Sequence, residues 1–405
     1  MKYRKLLRCF ALVLFILLVR YFFSILVNYT LPYREWVDGQ FILRESKSIR
    51  NYLPSYDLPT LWGRWDTVSY VGIAESGYDL ELPTTLAYKN WAFFPLYPLL
   101  VKGVTLVLSV FTGGAVDASL YLAAGLIVSN LCFVFALYYL DALADLLGFS
   151  KIQKASSIVL LLTFPAGYFS SLIYSESLFL FLSCLFLYFL FNNRTKLSAL
   201  ILGLLLVTRS NGLTFLPVFF IWFLVFMKDR AAIRDVAVSL LLIFAPIALF
   251  LFYIGILTGD FFAPIKAQEA WNNYYMLFGV FISYIEIYGV IIKYEFILSV
   301  LLLLGVLGFL IFVIIKFKNA ILEHKREAFV LLTQAVLFFL LVSGVTNITS
   351  LFRYTSTCVS LFILAPVFLD VKKYQVLYGF LIITGIFLQS LFFVYFLTNA
   401  HVYGF

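Results

Sequence analysis

Charge is scarce in this 405-residue sequence: Asp, Glu, Lys and Arg together make up only 12% of it. A water-soluble domain carries about a quarter of its residues charged. Hydrophobic residues fill the deficit at 63%, and the mean hydropathy is +1.00. A soluble globular fold is excluded on that balance. The apolar runs are continuous rather than alternating, which excludes an outer-membrane barrel. Cysteine is equally sparse. Cys9, Cys132, Cys184 and Cys358 lie singly in apolar sequence with no CxxC pair, so they read as small buried hydrophobes rather than a disulfide framework. His324 and His401 are the whole histidine complement, too few and too far apart for a histidine zinc site. The net charge of +8 is dispersed over short loops, so no nucleic-acid partner is expected.

What remains is an all-α polytopic membrane protein. The N-terminal "MKYRKLLRCFALVLFILLV" has a basic head and an apolar body with no small-residue cleavage site after it, and reads as a retained anchor starting in the cytoplasm. Arg20 interrupts this span. Its expected behaviour is snorkelling toward the outer interface, the sharper alternative being contact with a lipid phosphate. The loops "GFSKIQKA", "NNRTK", "KDRAAIRD", "KFKNAILEHKRE" and "DVKKYQ" are basic and should face the cytoplasm. Between them, eleven spans are expected near 6–28, 118–140, 155–172, 176–191, 196–212, 213–228, 235–257, 296–316, 327–345, 355–370 and 375–397. Several are short, which predicts kinks or shortened helices between 155 and 228.

The stretch "FFPLYPLLVKGVTLVLSVF", residues 93–111, is long enough to cross. If it did, every later basic loop would change sides. It is therefore read as an interfacial or re-entrant helix, entered through Pro95 and Pro98, inside one long extracytoplasmic loop over 29–117. A second long outer loop covers 258–295. The chain 1–405 forms a single integral membrane domain.

On this topology the unusual polar stretches collect on one side. They are "RWDTVSYVGIAESGY" (64–78), "FPAGYFSSLIYSESLF" (164–179), "TRSNGL" (208–213), "GDFFAPIKAQEAWNNYYMLFG" (259–279) and "TNITSLFRYTST" (346–357). Polar groups at membrane depth are costly unless paired or lining a wet cavity, so a shared outward cavity is expected. Asp66 is a candidate general base for an acceptor hydroxyl. Arg209 and Arg353 are candidates for gripping a phosphate, whose oxygens a guanidinium matches in pairs. Trp65, Tyr78, Trp91 and Trp271 suit the apolar faces of a sugar or a polyprenyl chain. Structural roles stand beside these. Asp66 could cap a helix or pair with Arg64, Glu176 could cap the helix that starts there, and the arginines could pair with acids from other loops. No metal site is expected, although Asp79 or Glu81 could hold a divalent ion.

"RWDTVSYVGIAESGY" followed by "FFPLYPLL" resembles the first-loop signature of the PIG-V family, the second mannosyltransferase of GPI-anchor synthesis. "FPAGYFSSLIYSESLFLFLS", "TRSNGL", "AQEAW" and "FRYT" follow in the same order, covering about 60–366. The resemblance implies a GT-C glycosyltransferase fold acting on a polyprenyl-phosphate sugar, with mannose as the sugar and a glycolipid or glycan as acceptor. It implies that Asp66 is the catalytic base of an inverting displacement. It assigns substrate contacts to Glu75, Glu176, Arg209, Asn211, Gln268, Trp271, Arg353 and Tyr354; Arg64, Trp65 and Tyr78 join the expected substrate-binding set from their place in the first motif and their side-chain chemistry. Arg64 stands where eukaryotic members often have His, which suits a prokaryotic relative in the plasma membrane with its site facing outward; a eukaryotic member would lie in the endoplasmic reticulum membrane. The implied partners are membrane lipids, the lipid-linked sugar donor and the acceptor. The rival class is a transporter or flippase of lipid-linked sugars, which usually shows paired internal repeats. Neither "RWDTVSY" nor the "RSNG" break recurs in the second half.

Overall fold

A computed structural model describes residues 2–30, 62–80, 89–226, 233–268, 279, 294–319, 323–344 and 350–398. Among these residues all regular structure is helical. The first helix, α1 (Lys2–Thr30), is followed by the short α2 (Asp66–Ser76) and by α3 (Leu96–Ser109). Then come α4 (Ala118–Leu146), α5 (Lys151–Thr163), α6 (Glu176–Phe191), α7 (Thr195–Leu206) and α8 (Phe215–Ile221). The second half holds α9 (Ile233–Thr258), α10 (Tyr294–Asn319), α11 (Lys325–Gly344), α12 (Leu351–Thr355), α13 (Val359–Phe368) and α14 (Gln375–Thr398).

Among the described residues, six helices are long and apolar enough to cross a membrane: α1, α4, α9, α10, α11 and α14. The other five expected spans fall on the shorter helices α5, α6, α7, α8 and α13. The expected span 155–172 ends early. α5 stops at Thr163, Pro165 follows, and Gly167–Ser171 form a tight 3₁₀ turn. Proline has no N–H to continue the ladder and disfavours helix in the residue before it. Helix α3 does exist over most of 93–111, and Leu99, Leu106, Val107, Val110 and Phe111 are exposed along that segment.

The burial pattern separates inner from outer helices. In α4, 67% of the most apolar stretch is buried, against 22% in α1, α9 and α10. Phe15, Phe22, Leu241, Ile315 and Phe380 are exposed on those outer helices and on α14, a solvent-facing arrangement only lipid would stabilise. α4 packs most extensively on α6, and α7 lies between α6 and α9. At the α7–α9 crossing, Gly203 lies against the Leu242 carbonyl, where a Cβ would collide. Pro246 sits four residues after Leu242 and cannot donate to that carbonyl, so the oxygen is free to meet the Gly203 backbone.

Contacts between segments sort into two ends. At one end, Lys5 pairs with Asp145 at 2.8 Å and also with Asp141, Lys154 joins the same two acids, and Lys196 pairs with Asp235 at 2.8 Å. Gln153 there donates to the Pro366 carbonyl at 3.0 Å, and Trp222 to Asn193 Oδ1 at 3.2 Å. These contacts join the segments rich in Lys and Arg. At the other end, Leu96 N–H reaches the Val207 carbonyl at 3.1 Å, Gln268 reaches the Ala92 carbonyl at 3.2 Å, and Arg64 reaches the Leu397 carbonyl at 2.5 Å. The described parts of the sequence stretches singled out above meet at that end. An apolar groove between α5 and α14, lined by Lys151, Ile152, Val159, Tyr378 and Ile382, lies at the basic end, away from them.

Candidate active site

Two carboxylates open two helices. Asp66 is the first residue of α2 and Glu176 the first of α6, positions where the partial positive charge of a helix N-terminus stabilises an anion. The entry to α2 is a tight turn. Trp65 has φ 57° and ψ −119°, and Thr67 N–H bonds to the Arg64 carbonyl at 3.2 Å. Those angles at the second position define a type II′ turn, a place glycine normally takes. A tryptophan there stores strain of about 1–3 kcal/mol, and the surroundings hold it. Tyr174 Oη donates to the Arg64 carbonyl at 2.9 Å, and Arg64 Nη1 donates to the Leu397 carbonyl at the end of α14. A cation over the last carbonyls of a helix is favourable for the same electrostatic reason. Arg64 therefore clamps the turn to α14 and is not the partner of Asp66.

The partner of Asp66 is Arg353 from α12, whose Nη1 lies 2.7 Å from Asp66 Oδ2. The Nε of Arg353 is 3.3 Å from Glu176 Oε1, and Arg209 Nη1 reaches the same oxygen at 2.6 Å. Four charged groups from four separate segments thus form one chain, Asp66–Arg353–Glu176–Arg209, in which two guanidiniums balance two carboxylates. Burial opposes the charge on Arg353, but Asp66 and Glu176 outweigh it and hold its pKa well above the ordinary arginine value. The Glu176 side chain is 1% exposed and Asp66 17%, so Asp66 is the member of the chain nearest to solvent. Glu176 Oε2 is buried and accepts no hydrogen bond among the described residues.

Aromatic rings and hydroxyls wall the cluster. The Arg353 guanidinium lies about 5.5 Å from the ring centres of Phe169, Tyr174 and Tyr354, and Arg209 lies 5.5 Å from Tyr354. Ring faces attract cations, most strongly where water is excluded. Tyr70 and Ser175 share a hydrogen bond at 2.8 Å, and Arg209 donates to Ser175 Oγ at 3.0 Å. Tyr70 follows Asp66 by four residues, which places both on one face of α2. That spacing was the available signal for Tyr70, and adjacency to Glu176 the signal for Ser175.

The "RSNG" stretch supplies Arg209 through a tight hairpin. Gly212 packs so closely on α7 that an added Cβ would lie 2.6 Å from the Leu205 carbonyl oxygen. Asn211 is buried in this turn, and its Nδ2 makes no hydrogen bond among the described residues. Behind the cluster, Arg20 does not snorkel. It is buried, donating to Ser171 Oγ at 2.5 Å and to the Tyr168 carbonyl and Gln389 Oε1 at 3.4 Å each. Gln389 in turn donates to the Leu162 and Phe164 carbonyls at 3.0 and 2.7 Å, satisfying oxygens freed at the end of α5. Arg20 and Gln389 so brace the turn that carries Phe169 and leads to Glu176.

Other expected site residues lie apart. Glu75 is nine residues after Asp66, about 13 Å along α2 and on its opposite face. It makes no hydrogen bond or ion pair among the described residues. Tyr78 donates to the Phe93 carbonyl at 2.8 Å and packs with Trp91, Phe250 and Tyr253 in a second cluster. Gln268 ties its segment to Ala92 in that same neighbourhood. Trp271 lies outside the described residues, as does Glu81. Asp79 Oδ2 accepts from Asn90 N–H at 3.2 Å. Among the described residues, three or more His, Cys, Asp or Glu side chains nowhere converge as a metal would require.

The family described as Mannosyltransferase (PIG-V) matches residues 4–255 of the chain. The chain belongs to that family. The match takes in Asp66, Glu176 and Arg209, whereas Arg353 and Tyr354 lie beyond it and join the cluster through folding. Curated relatives include the GPI alpha-1,6-mannosyltransferase 2 proteins of Rattus norvegicus, Mus musculus and Cricetulus griseus. Each is 33% identical over 150 residues, which is 37% of this chain and 29% of the relative. The alignment thus spans under a third of those proteins. Among solved structures, ArnT from Cupriavidus metallidurans, bound to undecaprenyl phosphate, superimposes with a TM-score of 0.48 and 12% identity, over 96% of this chain and 76% of that one.

Proposed function

We propose that this protein is a GT-C glycosyltransferase that moves mannose from a polyprenyl-phosphate donor to a lipid-linked or glycan acceptor. The reading is supported above all by the four-residue charged chain at the motif end of a PIG-V family member. It puts a solvent-reachable carboxylate, Asp66, on Arg353, and links that arginine through Glu176 to Arg209, a second guanidinium suited to phosphate. In this reading Asp66 takes the proton of an acceptor hydroxyl as that oxygen attacks C1 of the donor mannose. The bond from C1 to the phosphate oxygen breaks, and the polyprenyl phosphate leaves with the electron pair. The products are the inverted glycoside, polyprenyl phosphate, and a proton held on Asp66. Arg209 and Arg353 bind the phosphate and stabilise the charge it gains. No metal is needed to balance this step.

The basic end faces the cytoplasm by the usual bias of Lys and Arg, so the site faces outward. In this topology α5, α6, α7, α13 and the stretch Ser210–Phe226 that contains α8 cross as shortened helices, and 29–117 and 258–295 are the two long outer loops. The aromatic cluster of Tyr78, Trp91 and Phe250 beneath α3 is where the polyprenyl chain would enter from lipid. Transfer of labelled mannose from a polyprenyl-phosphate donor into a native lipid extract tests the reading. Asp66→Asn keeps the shape of the side chain and removes the base, so the rate should fall by about 10²- to 10⁴-fold. Wild-type rates in a folded Asp66→Asn protein would remove Asp66 from the chemistry.

A further inference from the structure

We propose that Arg353 is an exchange residue: it holds Asp66 until a donor phosphate takes its place, and phosphate binding thereby releases the base. The inference rests on the proposed donor class and deepens the role of that site. Three observations carry it. Arg353 spends Nη1 on Asp66 at 2.7 Å, so the group expected to accept a proton is tied to one of the groups expected to bind the anion. Within these four groups the charges cancel, so neither arginine can turn fully to an arriving phosphate unless a carboxylate withdraws. Finally, the two carboxylates are not equally able to withdraw. Glu176 is 1% exposed and touches both arginines, while Asp66 is 17% exposed and among the described residues pairs with Arg353 alone.

Glu176 therefore acts as the pivot that spaces the two guanidiniums, and Asp66 as the movable partner. A carboxylate oxygen engaged by a guanidinium N–H is not available to accept from an acceptor hydroxyl. Once phosphate oxygens take its place on Arg353, Asp66 Oδ2 is free to accept from that hydroxyl when a donor is present. This order ties activation of an acceptor hydroxyl to occupation of the phosphate site. Arg353 lies outside the stretch matched to the family, so it was the fold that joined it to Asp66.

The test measures binding of farnesyl phosphate to the purified full-length protein, with farnesol as the uncharged control. Asp66 competes with the phosphate, so Asp66→Asn should bind farnesyl phosphate more tightly, on the order of tenfold, while farnesol binding stays unchanged. Glu176→Gln should shift affinity the opposite way, because the pivot is lost. Simple repulsion between carboxylate and phosphate predicts tighter binding for both variants, so equal signs overturn the exchange. Should Glu176→Gln prove unstable, Glu176→Asp keeps the charge but draws it back from the arginines. It should bind more weakly, and unchanged affinity counts against the pivot. Phosphate-dependent binding that is equal in wild type and Asp66→Asn overturns the exchange and leaves the donor class standing. Absence of phosphate-dependent binding in every protein overturns both.

Discussion

Glu176→Gln should be the most damaging conservative change in the charged cluster, and its cost can be worked from the contacts. The substitution keeps volume and one carbonyl oxygen but removes the anion that two guanidiniums share, at 2.6 Å from Arg209 and 3.3 Å from Arg353. Removing one partner of a buried ionic group costs about 3–5 kcal/mol, because the remaining charges stay buried and uncompensated. Arg353 keeps Asp66, and Arg209 keeps Ser175 Oγ and the Tyr354 ring, so the lower end, about 3 kcal/mol, is expected. With an unfolding entropy of about 2.1 cal/mol/K per residue, that lowers the melting temperature of the 405-residue chain by roughly 4 °C. The assay is thermal unfolding in detergent followed by tryptophan fluorescence. Glu75→Gln, a partly exposed carboxylate outside the cluster, is the control and should change stability by less than about 0.5 kcal/mol. Asp66→Asn falls between, at about 1 kcal/mol, since Asp66 is nearer to solvent. Should Glu176→Gln melt within about 1 °C of wild type, the electrostatic account of the cluster is wrong, and Glu176 is neutralised in some other way.

Arg20→Met removes the charged donor behind the 167–171 turn and should cost about 2–3 kcal/mol, read as an earlier melt, because buried acceptors on Ser171 and Tyr168 are orphaned. Arg20→Lys, which cannot span three acceptors, should recover only part of it. Gly212→Ala should destabilise by about 1–3 kcal/mol, as its Cβ would meet the Leu205 carbonyl. Gly103→Ala on α3, with nothing within 4 Å of the new Cβ, should instead stabilise by up to about 1 kcal/mol. Sidedness is testable with single cysteines, because the four native ones are buried. An impermeant maleimide applied to intact cells should label Ala115→Cys and leave Lys372→Cys unlabelled until the membrane is opened; the reverse pattern refutes the orientation.

Much of this is legible in the amino-acid sequence. Scarce charge and continuous apolar runs dictate membrane helices, because only internally bonded helices satisfy the backbone in lipid. The Pro165 and Gly212 breaks announce shortened helices near 155–228. The separation of basic loops from the polar motif stretches is already a statement about two ends. Helical phase, too, was available: four residues put Tyr70 with Asp66, and nine put Glu75 on the far face.

Partnership was not readable. Asp66 and Arg353 are 287 positions apart, and nothing local favours that pairing over one with Arg64 two residues away. Only the packing of α2, α6, α12 and the Arg209 hairpin around one point decides which cation meets which carboxylate. Arg20 shows the same limit. Composition places an arginine in a span, but whether it reaches for water or braces a turn depends on whether Ser171 and Gln389 arrive beside it. Sequence by itself determined which residue types lie at which depth, since transfer free energy acts on each residue locally. Tertiary structure alone decided which charges cancel, since Coulomb energy depends on distances that only the folded chain sets.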